Sequence, residues 1–388
     1  MPDNSPNNVL TTAEFFCGIG GFRLAADALN LQTVWANDID AKAATVYMDN
    51  FNETNFHHGD IRQIVSDIPE HNILTAGFPC QPFSSAGKKK GIGDLRGTLF
   101  SEIVKILEIK QPDFLILENV KRLLSMDSGH HFLTILNALT QAGYVVEWRV
   151  LNAVWFGLPQ YRERVILIGW KNHELRSYLH DSDVKSQNHS SLIRIKKSQI
   201  QRIQEHYYKF KNWGLAWDDL IFEENLESPP CQINSDIRLH HILELNPKPE
   251  FFFTEDTLRR IEQSEKVDRY FNGVEILYNQ KGGARMGYSI FGVNGFAPTL
   301  TSTTSRHYER YKIDDQYRRL TNIEYARLQG FPDNHCRKIS PYHQYKLYGN
   351  AVPPNLIKWV MSRLIQNNFS SVSLGQEDFN SQLELSFV

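Results

Sequence analysis

Between residues 13 and 170 the chain alternates short apolar runs with amphipathic stretches. That rhythm belongs to β-α-β units feeding a mostly parallel sheet, an α/β fold. Glu14-Phe15-Phe16 reads as the end of a first strand, entering a glycine turn at Gly18–Gly21 with a helix following to about Leu29. Thr33–Ala36 is a second strand and Ala41–Asp49 a second helix. Further apolar runs follow at Ile73–Ala76, Phe114–Leu117, Tyr144–Leu151 and Val165–Gly169. Helical patterns lie between them, near Thr98–Ile109 and His131–Ala142. After about Trp170 the periodicity fails, and it stays poor to about Gln280. Helical patterns resume from Tyr317 and end in a helix between Pro354 and Gln366. The expected division is therefore a first unit at 11–175, a smaller mixed unit at 176–300, a return to the first at 301–366, and a loose tail at 367–388.

Composition narrows the class. With 41% hydrophobic and 12% aromatic residues the chain can bury a sizeable core. No run approaches the roughly 20 apolar residues of a membrane span. Met1–Asn8 shows no basic stretch ahead of an apolar one, so a cytoplasmic location is expected. Cys17, Cys80, Cys231 and Cys336 are scattered without a CxxC pair, which argues against a disulfide framework or a zinc cage; no metal site is expected. A net charge of −2 gives no bulk sign of nucleic-acid binding. Local basic patches are the candidates: Arg194, Lys196, Lys197, Arg202 and Lys209; Lys88–Lys90; and Arg306, His307, Arg310, Arg318 and Arg319. The alternative is that such charge runs are solvated faces, and for the first patch read alone the two readings stand level.

Candidate chemistry sits at strand ends. Phe15-Phe16-Cys17-Gly18-Ile19-Gly20-Gly21-Phe22 lets the backbone turn tightly at the carboxyl edge of the sheet. It has neither the GxGxxG spacing nor a P-loop Lys-Ser pair, so a small zwitterionic ligand end suits it better than a phosphate. A purely structural turn is the alternative. Asp38 and Asp60 follow the next two strands, where a carboxylate can accept from ribose hydroxyls or an adenine amino group. Read alone, each would be a helix cap or turn former. Gly77-Phe78-Pro79-Cys80-Gln81-Pro82-Phe83-Ser84 holds a cysteine between two prolines directly after a strand, a stiff mount for a nucleophilic thiolate. Glu118-Asn119-Val120 closes another strand with an acid placed for proton donation or, more plainly, for helix capping. In Gln160-Tyr161-Arg162-Glu163-Arg164-Val165 the two arginines alternate with Tyr161 and Glu163, so on an extended segment Arg162 and Arg164 point the same way.

Taken in order, these segments resemble the cytosine-5 DNA methyltransferase family. The series continues through Gly97-Thr98-Leu99-Phe100, Arg318-Arg319-Leu320-Thr321 with Glu324, Arg327–Pro332, and Tyr348-Gly349-Asn350-Ala351-Val352-Pro353. The resemblance covers about 11–170 and 290–366. It implies a Rossmann-like, S-adenosylmethionine-dependent domain with a smaller target-recognition domain in the middle, and Pro298-Thr299-Leu300 resembles a motif at that domain's end. Implied roles are Cys80 as nucleophile at C6 of a flipped cytosine, Glu118 as acid at N3, and Arg162 and Arg164 as supporting groups. The implied cofactor pocket is Phe16, Gly18, Ile19, Gly20, Asp38, Ile39, Asp60, Ile61, Pro79, Leu99, Asn350 and Ala351. Asp38 stands where the family often has Glu, and Ile39 where a larger side chain commonly stacks on adenine. The expected partner is double-stranded DNA, with a cognate restriction endonuclease as a functional counterpart and a monomer as the working state. Methylation of tRNA and a catalytically silent DNA-binding module are the alternatives.

Overall fold

The computed structural model describes residues 9–79, 98–171, 193–203, 207–226, 236–279, 289–301 and 309–368. Its first strands are β1 (Thr11–Phe15), β2 (Gln32–Asp38), β3 (Phe56–His58), β4 (Ile73–Gly77), β5 (Phe114–Val120), β6 (Val145–Asn152) and β7 (Glu163–Trp170). Helices α1 (Gly21–Asp27), α2 (Ala41–Asn50), α3 (Leu99–Lys110) and α4 (His130–Gln141) connect them. Beyond lie β8 (Ile193–Lys196), α5 (Lys197–Ile203), β9 (Trp213–Trp217), β10 (Leu220–Glu224) and α6 (Glu255–Glu262). A second group of strands is β11 (Glu265–Phe271), β12 (Val274–Asn279), β13 (Ser289–Phe291), β14 (Arg310–Ile313) and β15 (Gln316–Arg318). Helices α7 (Asn322–Gln329), α8 (Pro341–Asn350) and α9 (Pro354–Asn368) close the described chain.

The large sheet has the order β3-β2-β1-β4-β5-β7-β6-β9-β10-β8. From β3 to β5 all neighbours are parallel; from β5 to β8 all are antiparallel. The α/β class stands, but the sheet is mixed rather than mostly parallel. The cause is β7: it follows β6 through a short connection and inserts between β5 and β6, where a hairpin-like return must run antiparallel. Nor does the sheet end at the expected boundary near 175, because β9 pairs with β6 and carries β10 and β8 with it. The five-stranded sheet likewise runs across residue 300, since β13 pairs with β14.

Both faces of the central strands are covered, which is why they read as unbroken apolar runs. Ile116, Ile166 and Ile168 face Phe22, Ala25, Leu356, Val360 and Met361 of α1 and α9. Their neighbours Leu115, Leu117, Val165 and Leu167 face Phe100, Ile103, Leu107, Phe132 and Leu136 of α3 and α4. No helix among the described residues is long and apolar enough to cross a membrane. Strand order reverses between β1 and β4, the topological point at which open α/β sheets leave a crevice beyond their carboxyl ends.

Candidate active site

That crevice is a cavity of about 850 Å³. Its lining includes Phe16, Gly18, Ile19, Asp38, Ile39, Asp60, Ile61, Pro79, Leu99, Asn350 and Ala351, together with Glu118, Arg162 and Arg164. Phe16 and Ala351, 335 positions apart in sequence, therefore converge where the strand-end reading expected a site. Cys80 lies outside the described residues, as do Lys88–Lys90, Arg306 and His307.

The glycine turn is built on left-handed backbone. Phe16 (φ 52), Gly18 (φ 55) and Gly20 (φ 83) all adopt it. A Cβ at Gly18 would meet nothing within 4 Å, so that backbone faces the open cavity. Gly20 differs from expectation: it is absent from the lining, and a Cβ there would lie 2.3 Å from the Phe51 ring. Its smallness serves packing. Gly21 is equally constrained, with a Cβ falling 2.3 Å from the Val352 carbonyl oxygen, so the C-terminal segment closes directly onto the turn. His335 adds a ring-nitrogen contact of 2.7 Å to the Ile19 carbonyl.

Asp38 fastens the turn. Its carboxylate accepts from the Gly18 N–H at 2.7 Å and from the Asp40 N–H at 2.8 Å. Burial raises its pKa above the ordinary aspartate value, against the pull of those amides. Asp60 caps the short 3-10 turn Ile61–Gln63 by accepting from the Arg62 N–H, and its carboxylate pairs with the Arg62 guanidinium, which holds its pKa low. The plain cap reading is thus correct for Asp60, while its place on the cavity wall remains. Asn37 was not singled out from the sequence; its amide donates to the carbonyls of His57 and Gly59 and fixes the approach to Asp60. Ile39 is 65% exposed on the same wall, an apolar side chain with little protein over it.

At the other end, Glu118 stands opposite Gly77 in the β4–β5 register. Arg164 Nε reaches Glu118 Oε1 at 2.8 Å, with both side chains mostly buried. Glu163 points away and pairs with Lys121 at 2.7 Å, as the alternation requires. Arg162 is 1% exposed and grips backbone: it donates to the carbonyls of Leu300 (3.1 Å), Gly349 (3.0 Å) and Ala351 (2.9 Å). Its Nε has no acceptor among the described residues. Burial first, then the Arg164 charge, press its pKa well below the ordinary guanidinium value. Asn119 was quoted in the sequence motif without a role. Its amide donates to the Phe78 carbonyl at 2.9 Å, pinning the chain just before Pro79, and its oxygen accepts from the Val120 N–H at 2.8 Å.

Two members of the basic patches, Lys197 and Arg318, are not exposed contacts, whereas Lys196 and Lys209 are exposed. Arg318 is buried and doubly bonded to Glu324 at 2.8 and 2.7 Å, beside the Thr321–Glu324 capping box. Lys197 is buried too, donating to the Thr140 hydroxyl at 2.6 Å. Both are parts of the scaffold.

A family model described as C-5 cytosine-specific DNA methylase matches residues 10–366. The Type II methyltransferase M.NgoBI of Neisseria gonorrhoeae is 50% identical over 163 residues, which are 42% of this chain and 51% of that protein, so the match spans about half its length. M.NlaX of Neisseria lactamica, also a Type II methyltransferase, is 33% identical over 363 residues, covering 90% of this chain and 95% of that one. The solved structure of S. pombe Dnmt2 methyltransferase shares the fold with a TM-score of 0.62 at 19% identity, covering 93% of this chain and 100% of that one. The matched span takes in both strand-end clusters of the cavity and the C-terminal segment that completes it. The chain belongs to the C-5 cytosine-specific DNA methylase family.

Proposed function

We propose that this chain transfers a methyl group from S-adenosylmethionine to C5 of a cytosine extruded from a specific site in duplex DNA, with Cys80 as nucleophile. One observation carries the reading: a single cavity joins the glycine turn and its acids to the Glu118–Arg164 pair and to Pro79. Cys80 follows Pro79, a residue of the cavity wall, directly in the sequence.

The lining fits the cofactor. Gly18 presents open backbone to an amino-acid end, Ile39 an exposed apolar surface to an adenine, and Asp38 and Asp60 carboxylate lone pairs to hydroxyl or amino donors. Phe16, Ile19, Ile61, Leu99, Asn350 and Ala351 complete the wall. When bound, S-adenosylmethionine supplies an electrophilic methyl group. The protein's task is to make C5 nucleophilic. Cys80 adds to C6 as its thiolate, and Glu118, held by Arg164, hydrogen-bonds N3 so that the ring can accept the added electron pair. Arg162, on the same wall, would steady the base carbonyl or the thiolate through its positive charge. After C5 is substituted, loss of its proton restores the ring and expels Cys80. Base extrusion costs a few kcal/mol, which pocket hydrogen bonds and phosphate contacts must offset.

Residues from the second sheet and its neighbourhood would read the bases, and the biological role would be modification opposite a cognate endonuclease. Bisulfite sequencing of DNA from an expressing host tests the reading. A recurrent protected cytosine in one sequence context is expected. Uniform conversion, with labelled methyl groups entering tRNA but not duplex DNA in a parallel assay, would overturn it.

A further inference from the structure

The carboxyl edge of the large sheet does not stop at the cavity. The glycine turn and Asp38 put one end of the cavity at β1 and β2, and Glu118 puts the other at β5. Beyond β5 the edge continues through β7, β6 and β9. Arg164, near the start of β7, stands opposite both Val120 and Leu151, so β6 ends beside the cavity wall. Trp213, opening β9, lies opposite Arg149, and the Val150 N–H donates to Asn212 O at 2.7 Å. The residues just before β9 are therefore at the same edge, three strand spacings from β5, or roughly 14 Å.

Two chain segments run along that edge together. The turn Lys121–Gly129 leaves the cavity wall at Val120 and is sewn to 208–210, with Tyr208 N donating to Ser128 O at 3.2 Å and Phe210 N to Leu124 O at 3.1 Å. Tyr208 and Phe210 pack into the core with Leu124, which leaves Lys209 exposed between them. Arg122, two residues past Val120, is exposed as well. No ion pair among the described residues engages either cation, whereas Lys121 is matched by Glu163. The other acids of this edge stand apart: Asp127 is at the far end of the turn, and Glu224 ends β10 one strand farther out. Lys196 belongs to the same basic patch of the sequence but not to this edge. It pairs with Leu220, which pairs with Trp217, four residues or roughly 14 Å along β9 from Trp213.

We propose that Arg122 and Lys209 form a phosphate-contacting shelf on the rim of the cavity, against which the duplex backbone beside the extruded base lies. The inference rests on the function proposed above. A base that reaches Glu118 enters from beyond the carboxyl edge, where the cofactor takes the part over β1 and β2. Away from the cofactor the rim is β5 to β9, and these two side chains carry its unmatched positive charge. With one phosphate per about 3.4 Å of axis on each strand, a rim of roughly 14 Å has room for about four. Contacts of this kind fix register and add affinity without reading sequence.

The test follows duplex binding from about 50 to 200 mM salt, the range over which phosphate contacts are lost. One duplex carries the site found by bisulfite sequencing and the other a scrambled sequence. Arg122→Gln and Lys209→Gln should each make the slope of log affinity against log salt shallower by about 0.9, and the double variant by about 1.8. At about 0.1 M salt the double variant should bind both duplexes more weakly by a similar factor, up to roughly 60-fold. Arg122→Lys should keep the wild-type slope, and so should Lys196→Gln at the opposite edge. Melting temperature checks that each protein is folded, and the single variants carry the test if the double one is not. Folded Arg122→Gln and Lys209→Gln proteins with the wild-type slope would overturn the inference. A Lys196→Gln slope as shallow as that of Lys209→Gln, or a loss confined to the site duplex, would do the same. Wild-type protein that binds neither duplex would instead sink the proposed function.

Discussion

Asn119→Asp isolates how the loop before Cys80 is held. Asn119 is 3% exposed, and its amide is the bond that fixes the Phe78 carbonyl. The substitution is nearly isosteric. It keeps the acceptor for the Val120 N–H but replaces the donor facing Phe78 with an oxygen, so two acceptors confront each other across 2.9 Å. Leaving a buried acceptor unsatisfied costs about 1–3 kcal/mol, and the like-pole contact puts this case at the upper end. If that energy is felt as displacement of the Phe78–Pro79 backbone, each 1.4 kcal/mol is about tenfold in rate, which gives a loss of roughly 10- to 100-fold. Asn119→Ala, which removes the donor without the repulsion, should lose less, about 5- to 10-fold. Single-turnover methyl transfer with saturating cofactor and DNA reads the effect, with duplex affinity as the control. An Asn119→Asp protein that transfers at the wild-type rate would refute the argument, whatever its melting temperature.

Other perturbations test separate parts. Glu118→Gln should lower transfer about 10²- to 10⁴-fold while duplex binding survives, the usual span for losing a positioned acid; a single-turnover rate within tenfold of wild type would remove Glu118 from the proton chemistry. Asp38→Asn exchanges a carboxylate that fastens Gly18 and faces the cavity for a weaker acceptor, so nucleoside affinity by calorimetry should fall by about tenfold, near 1.4 kcal/mol, with little change in duplex binding. Glu14, buried in β1 beside Tyr47, has a pKa raised by burial from the ordinary 4.5 to about 8, with the Tyr47 hydroxyl opposing the rise. Its protonated form is favoured in the folded state, so the stability it confers is complete below about pH 4.5 and is lost as pH climbs to about 8. The loss is bounded on the order of 5 kcal/mol. Glu14→Gln should flatten the melting-temperature decline between pH 5 and 8, and an unchanged decline would show that Glu14 ionises freely.

Legibility followed the physics of each element. Strands buried on both faces, such as β4 and β6, are plain in the sequence because every position is apolar or sequestered. β3 escaped notice as three residues, two of them histidines, at the sheet edge. β10 alternates buried and half-exposed positions and β9 breaks that alternation with Trp213 and Gly214 both buried; at five residues each they are too short to stand out from a turn-rich stretch. At the site, Asp38, Asp60 and Glu118 were readable because strand ends in an α/β sheet share one edge. Asn119 and the Arg162 clamp were not. Side-chain bonds to backbone carbonyls leave no mark on residue type at the accepting end, and those of Arg162 reach 138 to 189 positions along the chain. Arg318 misled for the opposite reason: its charge suggested DNA, while in the fold it is spent on Glu324, the acid of the Thr321 capping box.

The claim on which the mechanism turns is a covalent bond between Cys80 and C6 of the target base. Incubating the protein and S-adenosylmethionine with a duplex bearing 5-fluorocytosine at the methylated position should yield an adduct stable to denaturant, because the fluorine cannot leave as a proton does. Peptide mass spectrometry should place it on Cys80, and Cys80→Ser should give none while still binding the duplex. Trapping on another residue, or methylation that persists in Cys80→Ser, would contradict the account.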